Sequence, residues 1–429
     1  MHFFGIDDYL SPEIKYAEKA LSRGTGILRP NAVRGANSAA ILQLLRRHGS
    51  LSRADLARQS SLSEGSISRI TSELIRRELV REDGAENSTG GRPGTRLRLH
   101  EKHVGIGVEV RKGQSRIAVA TLSGKILETI SIHAPAGPAE AIETILRAVR
   151  EMRDRYGRNR VEGVGVSVRG IVNSLTGTVE FGNVPTWIGI PVKESLERSL
   201  DLPVEVDNNV RLAAIAEYNY GNLLEVRNSR CLLLAMVEEG IGIGIVLDGK
   251  LYYGPRDAAG EFGQMVIADK EDAAQHDRAG CLEKLASSTA LCDRYAAITN
   301  SRSSSGAGDS RARVRKICQL AMAGDKSAGE ALAQTCRYLG VGLANVVWGL
   351  DADAVVIDGP INEAWSLVSP MIREQFPKRE DIGTFRHLVL RPSSLGGEAT
   401  IVGAATLPFH NLFNSGETSS TATAHSASA

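Results

Sequence analysis

The residues best placed to do chemistry are one aspartate and two asparagines inside the stretch Pro203–Glu217. Val204–Val206 are typical of the end of a buried strand, and Asp207, Asn208 and Asn209 follow just before a segment that predicts a helix. Carboxylates and amides at such a strand end lie where ligands bind in α/β sheets. The same amides can also cap the helix, so this stretch by itself favours neither a ligand site nor a cap.

The chain that must position these groups has 429 residues, a length that predicts two or three domains. Its 42% hydrophobic and 24% charged residues are typical of globular proteins. No apolar run is long enough to cross a membrane, and the N-terminus lacks the pattern of a secretory signal. Five scattered cysteines form no closely spaced framework, so we expect a protein of the reducing cytoplasm.

The net charge of +1 is unevenly distributed. Residues 23–100 hold fourteen arginines and no lysine against seven acidic residues, which leaves +7 there and −6 on the rest of the chain. A basic N-terminal module on an acidic body predicts that only the small module binds a polyanion. The alternative is a basic face that is merely solvated.

Two helix starts lie eleven residues apart in this module. Residues 1–36 predict a loose arm, and residues 38–48 predict a first helix that Gly49 ends. Ser52 and Ser63 are each candidate N-caps of a further helix. The spacing predicts a short helix, a tight turn and a second helix, as in a helix-turn-helix.

The second of these helices carries candidate contacts to DNA. Ile67, Ile70 and Leu74 share one face, which is therefore expected to be buried. The candidate DNA-binding residues of this segment are Ser63, Ser66, Ser68, Arg69 and Ser72. Small hydroxyl side chains allow the helix to approach a major groove closely. Arg69 can form hydrogen bonds with a guanine or with a phosphate.

A Gly-rich loop follows between two short predicted strands, Leu79-Val80 and Arg96–Leu99. Arg92 lies in that loop and is the sixth candidate DNA contact, in reach of a minor groove or the backbone. Residues 37–100 therefore predict a winged helix-turn-helix DNA-binding domain. The alternative is a helical module that binds another protein.

Residues 103–410 form the predicted body. Each half opens with a β-meander and then alternates strands with helices, the second half beginning at the strand 231–237. This repeated α/β order resembles the two-lobed actin-like, sugar-kinase (ribonuclease H-like) architecture. Residues 411–429 are rich in Ser, Thr and Ala and predict a disordered tail.

From about residue 36 to 410 the chain resembles the ROK family (repressors, open reading frames and sugar kinases), and within it the repressor branch with an N-terminal winged helix. Each motif by itself is weak, whereas their order and spacing are specific. The motifs are GRPG at Gly91–Gly94, GNVPTW at Gly182–Trp187, DNN at Asp207–Asn209, IGIGIVLDGKLYYG at Ile241–Gly254, GEFGQM at Gly260–Met265, AGCLEKLAS at Ala279–Ser287 and LGGEATIVGAA at Leu395–Ala405.

The resemblance also implies what the chain has lost. A kinase of the family has an aspartate base where Asn209 stands, and an amide cannot accept the proton of a sugar hydroxyl. The two phosphate loops of the family match Gly107–Arg111 and Glu238-Glu239-Gly240, where their characteristic residues are replaced. Phosphoryl transfer needs positioning and charge neutralisation, so we expect no enzyme activity and no catalytic residue.

The resemblance also implies a sugar pocket, and this chain retains more of its hydrogen-bonding residues than of the base and the phosphate loops. The matching residues are Asn183, Asn208, Asn209, Glu261, Gln264 and Glu283. All can form hydrogen bonds with sugar hydroxyls, which both donate and accept. The alternative is that Glu261 and Glu283 are solvated carboxylates and that Asn183 belongs to a turn.

The zinc site that the resemblance implies is damaged. Its one histidine and three cysteines match Gln264, Ala274, His276 and Cys281, so His276 and Cys281 are the only remaining ligands. A structural zinc site needs four, and we expect no zinc and no other cofactor.

These features predict a sugar-responsive transcriptional regulator, most simply a repressor of carbohydrate uptake or catabolism genes, that binds its sugar without phosphorylating it. The expected partners are operator DNA, a sugar or sugar derivative, and further copies of the chain in a homodimer or tetramer. Two alternatives stay open: an active sugar kinase with an added DNA-binding domain, and a regulator controlled by a protein partner.

Overall fold

The structure is a computed structural model, and it describes residues 30–85, 95–111, 113–134, 137–182, 185–268, 280–301, 310–376 and 387–414. The predicted site residues Arg92, Asn183 and His276 lie outside these ranges. Within them the chain forms a small N-terminal domain and a body of two α/β lobes.

The helices and strands have the following bounds. The helices are α1 Pro30–His48, α2 Arg53–Ser60, α3 Glu64–Arg76, α4 Pro138–Tyr156, α5 Val192–Leu200, α6 Asn209–Tyr220, α7 Leu224–Arg227, α8 Leu282–Ala286, α9 Ser288–Ile298, α10 Ser310–Met322, α11 Lys326–Leu350, α12 Trp365–Arg373, α13 Ala399–Thr406 and α14 His410–Asn414. The strands are β1 Ser50–Ser52, β2 Val80–Ala85, β3 Thr95–Leu99, β4 Val104–Glu109, β5 Gly113–Thr121, β6 Ile126–Ala134, β7 Val161–Val168, β8 Ile171–Val172, β9 Val179–Phe181, β10 Val204–Asn208, β11 Cys231–Val237, β12 Ile241–Leu247, β13 Lys250–Leu251, β14 Ala354–Asp358 and β15 Val389–Pro392.

The N-terminal domain is a winged helix-turn-helix, as predicted. Ser52 and Asp55 form a capping box at the start of α2, and the Ser63 side chain caps α3 by accepting from the backbone N–H of Ser66. Because these caps satisfy the first free N–H groups, both helices start where the sequence indicates. The three-stranded sheet has the order β1-β3-β2, and β1 was not predicted.

The two lobes of the body have the same sheet topology. In the first lobe the order is β10-β7-β4-β5-β6, and in the second it is β13-β12-β11-β14-β15. Each lobe pairs its first three strands antiparallel and then adds two parallel strands next to the first. This duplication confirms the predicted sugar-kinase-like architecture.

Helices α6 and α13 cross between the lobes. Helix α6 leaves the first lobe at β10 and packs on β12 of the second, whereas α13 follows β15 and packs on β4 and β7 of the first. The packing is close: a Cβ atom on Gly105 or Gly107 would lie 2.1 Å or 2.4 Å from the backbone of Ala405. Near the end of α6, the buried carboxylate of Glu217 accepts hydrogen bonds from the backbone N–H groups of Ser394 and Leu395. Movement of one lobe against the other must therefore involve these two helices.

Two predicted boundaries differ from the structure. Helix α1 begins at Pro30, inside the predicted arm, because proline fits the first turn of a helix. Helix α14 reaches Asn414, inside the predicted tail, and Phe413 is buried. Phe413 and Phe409 belong to the same apolar core as Leu42 and Leu45 of α1. The end of the body thus completes the core of the DNA-binding domain, a long-range contact that local composition does not reveal.

The DNA-binding domain also contacts the body through α1. The guanidinium carbon of Arg46 lies 4.0 Å from the ring centre of Phe413 and 5.6 Å from that of Tyr220, the last residue of α6. Arg227 donates to the backbone carbonyl of Arg46, and Arg47 donates to the side chain of Asn228. Helix α6 therefore reaches from the strand end at Asn208 to the surface of α1.

Candidate functional site

An open cleft with a volume of about 140 Å³ lies between the two lobes at the carboxyl end of β10. We call it the interlobe cleft. Five of the six predicted effector-binding residues line it together: Asn208, Asn209, Glu261, Gln264 and Glu283. They come from different segments, and Asn183 lies outside the described residues. The fold therefore brings the predicted polar groups to one place.

Asn208 is the N-cap of α6 and also part of the cleft wall. Its Oδ1 accepts from the backbone N–H groups of Val210 and Arg211 at 2.8 Å and 3.2 Å, and its Nδ2 donates to the Gly170 carbonyl at 2.8 Å. The cap interpretation is thus correct, and the amide is held rigidly beside the cleft. Asn208 can position its neighbours and present its remaining hydrogen-bonding capacity to a ligand.

Asn209 is half-buried on the first turn of α6. Its Nδ2 lies 3.2 Å from the sulfur of Met236, and its side chain carries no ionisable group. A general base needs a proton acceptor that can be regenerated, which this amide does not supply.

Two carboxylates, Glu261 and Glu283, line the same cleft and influence each other electrostatically. The Glu283 Oε2 accepts from the backbone N–H of Ile241 at 3.1 Å, and a Cβ at Gly240 would lie 2.5 Å from the same oxygen, so a larger residue there would displace this carboxylate. Partial burial and the nearby Glu283 raise the pKa of Glu261. Hydroxyl donors of a bound polyol would relieve this crowding of negative charge.

A buried charged group supports the cleft from behind, and the sequence did not predict it. The guanidinium of Arg211 donates from Nε to Asp207 Oδ1 at 2.6 Å and from Nη1 to the Asp257 carbonyl at 2.9 Å. The Tyr253 hydroxyl donates to Asp207 Oδ2 at 3.0 Å. Burial raises the pKa of Asp207, which Arg211 opposes, and burial also raises the pKa of Tyr253. A single arginine in the apolar start of α6 was the available signal.

A second, smaller cavity adjoins the cleft and shares Arg169, Asn209, Met236 and Glu238 with it. We call it the charged cavity; its other charged residues are Glu109, Arg111, Arg311 and Asp358. It contains both segments that match the phosphate loops of sugar kinases.

Carboxylates and guanidinium groups pair with one another in the charged cavity. Glu109 is buried and accepts from Arg111 at 2.7 Å and from Arg116 at 2.8 Å. Glu238 lies 3.2 Å from Arg311 and 3.3 Å from Arg169. The arginines of these ion pairs are therefore already engaged, and their positive charge is not available to neutralise the phosphates of a nucleotide.

Asp358 is a further buried carboxyl group of this cavity, at the end of β14. Burial, followed by the negative charge of Glu238, raises the pKa of Asp358 to about 7, against the opposing effect of Arg311. The cavity therefore already holds as much negative charge as its arginines can compensate.

Several of these ion pairs join the two lobes. Arg169 follows β7 of the first lobe and binds Glu239 of the second at 2.8 Å. Arg116 on β5 binds Glu398 at 2.6 Å, just before α13. Arg169 directly follows a strand, at the edge where sheet ligands bind, and this position was a signal that the sequence interpretation missed.

The predicted DNA contacts divide into two groups. Ser63 and Ser66 hydrogen-bond each other at the start of α3, whereas Ser68, Arg69 and Ser72 are exposed on the side opposite the buried Ile67 and Leu74. Among the residues that the structure describes, the Arg69 side chain has no ion-pair or hydrogen-bond partner. Arg92 lies outside that part of the chain.

The described residues contain no group of three or more His, Cys, Asp or Glu side chains arranged to hold a metal ion. Cys281 is buried before α8, and His276 lies in a range that is not described. The absence of zinc therefore stays a prediction. No helix in the described ranges combines the length and apolar character needed to cross a membrane.

A winged helix joined to a duplicated α/β body with a polar interlobe cleft defines a DNA-binding regulator built on a sugar-kinase scaffold. The ROK family model matches residues 105–410, and the chain belongs to the ROK family. The MarR family model matches residues 36–82, which span the helix-turn-helix.

Similar proteins include both regulators and kinases. The N-acetylglucosamine repressor of Escherichia coli O6:H1 is 28% identical over 347 residues, which cover 79% of this chain and 84% of the relative. A crystal structure of a ROK family transcriptional regulator, a homologue of the Escherichia coli MLC protein, has a TM-score of 0.73 at 27% identity and covers 90% of this chain and 98% of its own. A ROK family glucokinase from Streptomyces griseus, solved with glucose and AMPPNP, has a TM-score of 0.59 at 25% identity and covers 71% of this chain and 98% of its own.

Proposed function

We propose that this protein is a sugar-responsive transcriptional regulator, most simply a repressor, whose body binds a sugar in the interlobe cleft without phosphorylating it. The N-acetylglucosamine repressor and the MLC homologue support the regulatory part. The glucokinase supports a cleft that accepts a hexose. The proposal extends these likenesses to the chemistry of this chain's own residues.

One observation carries the absence of phosphorylation. Asn209 stands where the resemblance to sugar kinases implies a base, and in the adjoining charged cavity the arginines are paired with the carboxylates of Glu109 and Glu238. Catalysis by phosphoryl transfer depends on neutralising the charge that develops on the phosphate. Carboxylates at these positions would oppose it.

In the DNA-binding part, we assign direct contact with the operator to Ser68, Arg69 and Ser72 and helix positioning to the caps Ser63 and Ser66. Arg92 is assigned a groove or backbone contact from the wing. Paired copies of α3 would read half-sites about one helical turn apart or a multiple of that distance. The regulator would therefore act as a homodimer or tetramer.

Helix α6 offers a physical link between sugar and DNA. It begins at Asn209 in the cleft and ends at Tyr220, against Arg46 of α1. Lobe closure on a sugar would shift α6 and so change the orientation of the winged helix. The sugar acts only through its different affinities for the two arrangements.

A coupled ATP-consumption assay over a panel of hexoses and pentoses tests the proposal against the kinase alternative. We expect no turnover above the protein-free rate with any sugar. Turnover that disappears on Asn209→Ala would refute the proposal and establish a kinase. If no sugar binds at all while operator binding is intact, control by a protein partner is favoured.

A further inference from the structure

We propose that the effector is a sugar without an anionic group, and that carboxylates of this chain exclude sugar phosphates and sugar acids from the cleft. This inference rests on the proposed function, since it assigns the chemical class of the ligand to that same site. It concerns the charge of the effector, which neither the fold nor the likeness to other proteins decides.

The charged side chains that line the interlobe cleft are mainly acidic. Glu238, Asp257, Glu261 and Glu283 face two arginines. Of these arginines, Arg211 is held by the buried Asp207 carboxylate. A ligand in the cleft therefore meets more negative than positive charge from the described wall.

Arg169, the second arginine of the cleft, is bound to Glu238 and Glu239 at 3.3 Å and 2.8 Å. An anion that recruited Arg169 would have to displace these carboxylates. These carboxylates would then lie beside the anion without their partner. The free energy lost by unpairing them exceeds the free energy gained from the new ion pair.

The charged cavity closes the other route. It shares Asn209 and Met236 with the cleft, so a substituent that extends past Asn209 enters it. There it meets three arginines, Arg111, Arg169 and Arg311, that are already paired with Glu109, Glu239 and Glu238. An anion would have to compete with these carboxylates for each arginine, and any carboxylate that it displaced would be left unpaired in a partly desolvated site.

Neutral hydroxyl groups meet no such obstacle. A sugar hydroxyl can donate a hydrogen bond to the carboxylate of Glu261 or Glu283. It can also donate to or accept from the amide of Asn208 or Asn209, and neither contact adds charge to the cleft. An amino group on the sugar would also be tolerated, because it would add positive charge beside two carboxylates. The cleft therefore suits neutral or amine-bearing sugars.

Isothermal titration of the full-length protein with matched pairs tests this inference. The probes are glucose and glucose 6-phosphate, N-acetylglucosamine and its 6-phosphate, and inorganic phosphate alone. We expect at least one neutral sugar to bind, its 6-phosphate to bind about tenfold or more weakly, and inorganic phosphate to give no binding heat. Phosphate or a 6-phosphate that binds as tightly as the neutral sugar overturns the inference.

A gain-of-function variant identifies the excluding group. Glu238→Gln removes one of the two carboxylates that hold Arg169, and with it a negative charge that lines both the cleft and the cavity, so we expect this variant to acquire binding of inorganic phosphate. The matched control is Glu128→Gln. Glu128 lies on the outer strand β6 and its carboxylate pairs with Arg155, so we expect this variant not to bind phosphate. A Glu238→Gln protein that still ignores phosphate would overturn the assignment of exclusion to Glu238.

The two proposals fail in distinguishable ways. If a 6-phosphate binds and the neutral sugar does not, the effector site stands and its charge class is wrong. If no sugar of either kind binds but Glu238→Gln acquires phosphate binding, anion exclusion stands and the proposed sugar response fails.

Discussion

The interlobe cleft and the charged cavity lie side by side and share Asn209. They differ in how far their carboxylates are paired with groups of the protein. In the cavity, Glu109 and Glu238 are each held by two arginines. In the cleft, the carboxylate of Glu261 has no hydrogen-bond partner among the described residues. A polar group that is satisfied within the protein contributes to structure, whereas one left open to a cleft is available to a ligand. The paired charges make the cavity part of the framework, whereas the cleft keeps a carboxylate open for the sugar that we propose.

Breaking the buried pair behind the cleft should have the largest effect. Asp207→Ala leaves the buried Arg211 without its carboxylate, and we expect the free energy of unfolding to fall by about 3–5 kcal/mol. Denaturant unfolding measures the change. The matched control is Arg198→Ala, which removes an exposed pair with Glu194 and should cost at most about 0.5 kcal/mol. Equal losses in the two variants would contradict the distinction between buried and open charges.

The charged cavity should also give the protein a characteristic dependence on pH. Because the pKa of Asp358 is raised to about 7 in the folded state and lies near 3.9 in an unfolded chain, the folded state binds this proton more tightly. The associated stability is fully present below the unfolded pKa and is lost as the pH rises through the folded pKa. Between about pH 5 and about pH 8 the loss amounts to about 2–3 kcal/mol.

The variant Asp358→Asn should remove that part of the pH dependence. Unfolding titrations of both proteins at several pH values measure the slope. A slope that is the same in the variant and the parent would show that Asp358 ionises normally.

Local patterns predicted much of this molecule. Strand β11 has its predicted bounds, and Ser52 and Ser63 cap the helices that they were expected to cap. Such features depend on residues within a few positions of each other. The contribution of Phe413 to the DNA-binding core depends on packing across more than 300 residues, and no local pattern contains it.

The candidate site shows the same division. Likeness to a family pointed to Glu261 and Glu283, and the fold places them together in one cleft. Arg169 was missed because its partners Glu238 and Glu239 lie in a distant segment. Arg211 was missed although its partner Asp207 lies only one helical turn away. The pairing of charges is a property of the folded chain, and it is what separates the cleft from the cavity.

Arg69 extends the comparison to the DNA-binding domain, since it is an exposed guanidinium without a described partner. Arg69→Ala should weaken specific operator binding by about 1–3 kcal/mol and leave the unfolding free energy within about 0.5 kcal/mol of the parent. Fluorescence anisotropy with labelled operator measures the affinity. Arg155→Ala, an exposed arginine of the first lobe that is paired with Glu128, controls for the change in net charge. Unchanged affinity in Arg69→Ala would mean that α3 does not read the operator.

Glu283→Gln sharpens the assignment of the cleft. The amide keeps the shape of the side chain but replaces a charged acceptor, so we expect sugar affinity to fall by about 1–2 kcal/mol while operator binding without sugar is unchanged. Titration of the sugar against the operator complex measures both. A full response in Glu283→Gln and also in Asn208→Ala would place the sugar elsewhere.

The smallest expected effect concerns the link between the two ends of α6. Tyr220→Ala removes the ring that contacts Arg46 and should reduce the coupling between sugar and operator by about 0.5–2 kcal/mol. Sugar affinity measured without DNA should not change, since Tyr220 lies at the far end of the helix from the cleft. Intact coupling in this variant would exclude the Tyr220–Arg46 contact as the route.

The most direct test of the account is the response of the operator complex to sugar in the absence of nucleotide. A DNA fragment selected by the protein from random sequence serves as the operator, and the sugar is one that raises the melting temperature of the protein. We predict that this sugar alone shifts operator affinity and is recovered chemically unchanged. A shift that requires ATP, or a sugar that is recovered phosphorylated, would contradict the account.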